Sequence, residues 1–194
     1  MRPPLVSSAL IVTCLIQIFC TLSFAASYDP YSVLNKKTRP LATSFRLWSP
    51  SFSGGAIPPK HTCDGSDLSP QLEWSEPPLR AKSYALICDE VNPKGKVTSR
   101  WVMYRIPVRL RKLKEGVPRL TTLEDGTKQG INDEGKTGYS GPCPPAGRHK
   151  YIFTIFALDT TLIGAQTAMN KEQLFKSMRN HVLEQAHLVG DYQR

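Results

Sequence analysis

Gly141-Pro142-Cys143-Pro144-Pro145-Ala146-Gly147-Arg148-His149-Lys150-Tyr151 runs directly into Ile152-Phe153-Thr154-Ile155-Phe156-Ala157-Leu158. The first part is a stiff turn, because its three prolines lock φ and its two glycines admit angles that other residues avoid. From Tyr151 to Leu158 the chain is apolar and aromatic or β-branched, the composition of a core strand. A rigid loop feeding a sheet holds His149 and Tyr151 in set positions, and binding groups concentrate on such loops. The same residues also fit a proline-rich corner carrying one surface histidine.

Further strands flank this one. Phe45 to Phe52 is a first strand, and Gln71 to Trp74 is a short one. Lys82 to Asp89 is apolar almost throughout, as a strand buried on both faces should be. Trp101 to Ile106 is another. Ser53-Gly54-Gly55, Pro58-Pro59 and Ser75-Glu76-Pro77-Pro78 mark turns, and residues 108–140 form a long polar excursion with many glycines. After Asn170 the pattern changes. Asn170 and Gln173 have the spacing of a capping box. Leu174, Met178, Val182, Ala186 and Val189 then recur at helical spacing, which predicts a C-terminal helix with one apolar stripe. His181 and His187 lie off that stripe. Strands first and a helix last predict a mainly β domain, largely antiparallel, with peripheral helices.

The chain of 194 residues suits one domain with a usable core, and 16 prolines with 13 glycines fit a turn-rich β fold. Residues 1–25 read as an export signal: Arg2, an apolar stretch from Leu5 to Leu22, then Ser23-Phe24-Ala25 at the positions a signal peptidase reads. Cleavage after Ala25 is expected, with Ala26 and Ser27 as neighbouring sites and an uncleaved anchor as the alternative. Residues 26–44 read as a flexible lead-in, and residues 45–194 as the domain. The formal charge is +9. An exported basic protein meets anionic phospholipid, lipopolysaccharide or acidic glycans before it meets DNA, so an anionic membrane surface is a candidate partner. Arg105, Arg109, Arg111, Lys112 and Lys114 form the densest basic run. It lacks the interleaved aromatics that stack on bases, so no nucleic acid is expected, and it also fits a plain solvated face.

Beyond the leader the cysteines are Cys63, Cys88 and Cys143. Cys88 lies in an apolar strand and reads as a small buried hydrophobe. Cys63 and Cys143 lie in loops and are the natural disulfide pair in an oxidising compartment. The alternative is a zinc site built from His61, Cys63, Cys143 and His149, at spacings unusual for zinc.

Ser83 to Pro93, Ser99 to Pro107 and the Gly-Pro-Cys-Pro-Pro loop together resemble the phosphatidylethanolamine-binding protein family, most closely its bacterial Raf-kinase-inhibitor-like branch. Thr62-Cys63-Asp64-Gly65, Ser69-Pro70-Gln71-Leu72-Glu73-Trp74, Gly138-Tyr139-Ser140-Gly141 and the end from Asn170 to Tyr192 add to the likeness, which covers about residues 45–192. It implies a large central β-sheet, a smaller second sheet, a C-terminal helix, and a small ligand pocket at one end of the strands.

Carried over residue by residue, the resemblance implies a ligand site of Asp89, Arg100, Gly141, Pro142, His149 and Tyr151. Chemically, His149, Tyr151 and loop amides can donate to a phosphate or carboxylate, and Asp89 can orient a histidine or bind an ammonium group. Asn92-Pro93 falls at a family proline turn and is a candidate cis bond. Two departures stand out. Arg100 replaces the usual histidine, and Asp89-Glu90-Val91 replaces an Asp-Pro-Asp. An inward Arg100 would favour oxyanions, whereas an outward one would remove a donor. These features predict an exported, non-enzymatic binding protein, periplasmic or secreted, for a small phosphorylated or anionic ligand such as a phospholipid head group, with no cofactor and no metal. Alternatives are a protein-interaction module that modulates a kinase, protease or host signalling protein, using the 108–140 excursion, and a small-molecule hydrolase built on Asp89 and His149.

Overall fold

The computed structural model describes residues 45–162 and 168–194. The proposed leader and lead-in, residues 1–44, lie outside the described residues.

Among the described residues, nine strands and one α-helix follow in chain order. They are β1 Leu47–Trp48, β2 Gly55–Ala56, β3 Leu72–Trp74, β4 Ser83–Val91, β5 Val97–Pro107, β6 Lys112–Leu113, β7 Lys128–Gln129, β8 Arg148–Leu158, α1 Lys171–Met178 and β9 Val182–Gln193. A six-stranded sheet has the order β2-β9-β8-β4-β5-β7, and a three-stranded sheet has the order β1-β3-β6. All pairings are antiparallel except β2 with β9. The expected large sheet, small sheet and largely antiparallel pairing are all present.

β4 is the centre. Its residues from Ser83 to Glu90 are all buried, and its neighbours explain why. One face, with Tyr84, Leu86 and Cys88, joins Trp101 and Met103 of β5 and Phe153 and Ile155 of β8. The small sheet covers that face with Leu47, Leu72, Trp74 and Leu113. The other face, with Ala85 and Ile87, joins Val102, Tyr104, Phe156 and Leu158 and is covered by Leu174 and Met178 of α1. Strict alternation thus sends successive β4 side chains into two different cores.

Three expectations are corrected. The C-terminal helix spans only Lys171–Met178; Val182–Gln193 is β9, paired with β8 along its length. The capping box at Asn170 and Gln173 is present as read. Asn180 ends the helix by adopting a left-handed φ of 68°, and the ladder offered by β8 then captures the chain. Val182 and Ala186 are buried, but Val189, the last member of the supposed stripe, is exposed. Second, the Asn92–Pro93 bond is not cis. Asn92 Oδ1 accepts from the amides of Lys94 at 3.0 Å and Lys96 at 2.9 Å, and this Asx turn closes the β4–β5 hairpin with a trans bond. Third, the 108–140 excursion contains the two short strands β6 and β7, though it is otherwise irregular.

Candidate functional site

At the ends of β4, β5 and β8 four polar side chains converge although each is buried: Glu90, Arg100, His149 and Tyr151. Tyr151 stands directly across from Glu90 in the β4–β8 register, and His149, two residues earlier on β8, shares its face. Arg100 arrives by a different device. The β4–β5 register shifts between Cys88–Trp101 and Asp89–Ser99, so Arg100 is the extra residue of a β-bulge. Strict alternation would turn Arg100 away from the face that holds Trp101; the bulge re-aims it toward Glu90.

Glu90 is the hub. Its Oε2 accepts from Arg100 Nε at 2.7 Å and pairs with Nη2 at 2.5 Å. Its Oε1 accepts from the Tyr151 hydroxyl at 2.9 Å and lies 2.6 Å from His149 Nδ1. An ionised carboxylate only accepts, so the imidazole donates from Nδ1. Burial opposes the charge on Arg100, but Glu90 and Glu134 outweigh it and raise the guanidinium pKa further. Burial, reinforced by the Glu90 charge, pushes the Tyr151 hydroxyl far above its ordinary value of 10.0, so it remains a neutral donor.

Outside this hub opens a cleft of about 500 Å³, with Arg100, Arg119, Glu134 and Lys136 among its lining residues. Arg100 Nη1 donates to Glu134 Oε1, whose other oxygen receives Lys136 Nζ at 3.0 Å. Burial disfavours the Glu134 charge, yet Lys136 and Arg100 together hold its carboxyl below the ordinary value. Glu134 sits in an Asn132–Lys136 turn whose pattern repeats that of Asn92–Lys96. Asn132 Oδ1 accepts from Glu134 N at 3.0 Å and Lys136 N at 2.9 Å. Its Nδ2 donates to the Arg100 carbonyl at 3.2 Å and to Ser140 Oγ at 2.9 Å, tying the turn to β5.

Tyr139, Ser140, Gly141, Asp67 and the Cys63–Cys143 disulfide also line the cleft. Gly141 N donates to Asp67 Oδ1 at 2.7 Å, and a Cβ at Gly141 would fall 2.4 Å from the His61 carbonyl oxygen. Only glycine permits that approach. The Pro142 carbonyl accepts from Cys63 N at 3.0 Å, so it braces the cleft from behind. Arg119 donates to the Tyr139 carbonyl at 2.9 Å and pairs with Asp67 at 2.5 Å.

The structure therefore brings together Arg100, His149 and Tyr151, places Gly141 in the cleft wall and Pro142 beside it, and turns Arg100 inward. Asp89 does not join them. It faces the opposite side of β4, where its Oδ2 pairs with Lys171 Nζ of α1 at 2.6 Å. Of the two roles read for Asp89, orienting a histidine or binding an ammonium group, the structure shows an ammonium partner, and it is Lys171 of this chain. The carboxylate at the site is Glu90, one residue on, and face parity with Cys88 and Leu86 is the signal that finds it. Glu134, Lys136, Arg119 and Asp67 were also missed, because they reach the cleft from irregular segments with no periodicity. The four residues of the zinc alternative do not assemble: the two sulfurs bond to each other, and His61 Nδ1 is held at 2.9 Å from the Leu68 carbonyl.

Comparison with known proteins agrees with this architecture. The family description "Phosphatidylethanolamine-binding protein" matches residues 48–193. A UPF0098 protein of Methanothermobacter thermautotrophicus is 46% identical over 140 residues, spanning 72% of this chain and 92% of the relative. One from Aquifex aeolicus is 40% identical over 151 residues, spanning 76% and 88%. The crystal structure of a phosphatidylethanolamine-binding protein homolog from Chlamydia trachomatis superposes with a TM-score of 0.69 at 35% identity, over 77% of this chain and 97% of that one. E. coli YbcL, described as a member of the mammalian family, gives 0.71 at 28% identity over 78% and 99%. The chain belongs to the phosphatidylethanolamine-binding protein family. None of these names carries an enzymatic activity.

Proposed function

We propose that this chain is an exported, non-enzymatic binding protein that holds a small phosphorylated or otherwise anionic ligand in the cleft beside Arg100. The observation that carries the reading is the Arg100 guanidinium lining the cleft of about 500 Å³, locked from behind by buried Glu90 and accompanied in the lining by Arg119 and Lys136. A preorganised guanidinium offers oxyanions a bidentate fork, and two further cations offset the carboxylates already present. The thiol beside the cleft is not free to attack a substrate, because Cys143 is bonded to Cys63, and this supports binding over catalysis. The disulfide also supports export, since such bonds persist in oxidising compartments.

The test is an NMR titration of isotope-labelled protein with phosphate and with phosphoethanolamine. Saturable shifts at Arg100, His149 and Tyr151 are expected. If these resonances stay still at millimolar ligand, the anion reading fails, and a protein partner of the 108–140 excursion becomes the better account. N-terminal sequencing of secreted material tests export, and an intact Met1 counts against cleavage.

A further inference from the structure

The two carboxylates on Arg100 are not equivalent. Glu90 takes the Nε–Nη2 edge of the guanidinium from inside the fold, with its side chain 7% exposed. Glu134 takes Nη1 from within the cleft, with its side chain 32% exposed. The first contact is built in; the second lies where an incoming oxyanion would make its own contact with Arg100.

The backbone around Glu134 is well braced. Ser99 N donates to Asp133 Oδ2 at 2.7 Å, and Asp133 N donates to the Ser99 carbonyl at 3.1 Å. Together with the Asn132 Nδ2 bonds to the Arg100 carbonyl of β5 and to Ser140 Oγ, these hold the turn against β5, so that only the Glu134 side chain need move. It also has somewhere to go, because Lys136 already holds its second oxygen.

We propose that Glu134 is an internal competitor for the ligand: its carboxylate occupies Arg100 Nη1 and yields that position to an incoming oxyanion while staying paired with Lys136. This rests on the anion-binding reading above and adds its regulation. Three consequences follow from the geometry. The ligand presents an oxyanion of carboxylate or phosphate type, since it replaces a carboxylate on the same donor. Affinity is set by the difference between two anions on one guanidinium, not by the full strength of either. A weakly basic or uncharged group cannot displace Glu134, so the cleft discriminates by charge before shape.

The test compares wild type with Glu134→Gln, titrating each with inorganic phosphate and, separately, with acetate, by NMR with Glu134 carboxyl carbon labelling in the wild type. Glutamine keeps the length and the turn but removes the competing charge. The expected result is a Kd for at least one of the two anions that is lower by about tenfold in the variant, the scale of one charge-assisted contact. The wild-type Glu134 carboxyl resonance should shift in step with saturation. A gain for phosphate, for acetate or for both supports the proposal and tells which chemistry the seat prefers. Saturable wild-type binding with an unchanged or weaker Kd in Glu134→Gln overturns it while leaving the anion site standing. No binding of either anion by either protein removes the site and this inference together.

Discussion

Glu90→Gln is the substitution that most directly tests the hub. Glu90 makes four contacts, two from Arg100 at 2.7 and 2.5 Å, one from His149 at 2.6 Å and one from Tyr151 at 2.9 Å. Glutamine has nearly the same shape, but it keeps one acceptor oxygen and places an NH2 at the other. Turned toward Arg100, that NH2 meets two donors; turned the other way, it meets the imidazole N–H. The second orientation is accommodated only if the imidazole moves its proton to Nε2 so that Nδ1 accepts, and either orientation removes the charge that balances the guanidinium. Breaking a buried ion pair from one side costs about 3–5 kcal/mol, and because Glu134 still holds Nη1 we expect the low end, about 3 kcal/mol. That is a large share of a domain stability on the order of 5–15 kcal/mol. The assay is urea unfolding followed by tryptophan fluorescence, since Trp74 and Trp101 are fully buried. The slope should be unchanged and the midpoint lower. In a cycle with Arg100→Gln, the double variant should be less destabilised than the sum of the singles by about 2 kcal/mol. A loss below about 1 kcal/mol, with additive singles, would refute the view that Glu90 and Arg100 are a coupled buried pair.

Further outcomes follow from other parts of the fold. Asp89→Asn breaks the Lys171 pair on the helix face and should cost about 3 kcal/mol, yet leave phosphate-induced shifts at His149 and Tyr151 intact; loss of those shifts would contradict the division of faces. Cys63→Ser with Cys143→Ser opens a link across a separation of 80 residues, and the urea midpoint should report a loss of about 4 kcal/mol. Gly141→Ala drives a methyl against the His61 carbonyl and the Asp67 carboxylate, and should cost about 2 kcal/mol, together with shifted amides across residues 61–67. His61 gives a pH signature. Burial holds its folded pKa below the ordinary 6.5, so the unfolded chain takes up the proton first. Its contribution to stability is full above about pH 6.5 and is lost as pH falls below that, by at most about 1.4 kcal/mol per pH unit. Midpoints equal at neutral and mildly acid pH would contradict it.

β3, β4, β5 and β8 were readable because each carries its own signal, whereas the first strand, read as Phe45 to Phe52, is only Leu47–Trp48, and the two-residue strands β2, β6 and β7 carry too little pattern to be seen. β4 is apolar nearly end to end, and β8 follows a proline-rich turn, so neither needs distant information. β9 is different. Val182 and Ala186 are four apart, a spacing shared by one helix face and by one strand face at every second residue. Leu188 against Val189 separates the two readings, but both are apolar, and the choice is made by pairing with β8, where Phe153 stands across from Leu188 and Ile152 across from Val189. The site was legible in the same measure. His149 and Tyr151 declare themselves by their loop. Arg100 reaches the cleft through a bulge, which no local pattern announces. Glu90 and Asp89 are adjacent acids, and telling which faces the site requires knowing which core each side of β4 meets. Glu134 and Lys136 owe their place to a turn whose anchor, Asn132, is bonded to a strand more than thirty residues earlier.

The back-to-back acids of β4 have a consequence for how the sheet aligns itself. A slip of β4 by one residue would carry Asp89 to the Arg100 side, one methylene too short to serve both edges, and would push Glu90 into the layer beneath the helix. Both ion pairs would fail together, along with every apolar contact on both sides. The dipeptide therefore acts as an alignment mark for the central strand, with the bulge at Arg100 as its matching notch. Damage to that mark is expected to show in folding yield and strand mispairing as well as in the cleft, because the same two residues that hold the Arg100 hub and the helix also oppose slippage of the central strand.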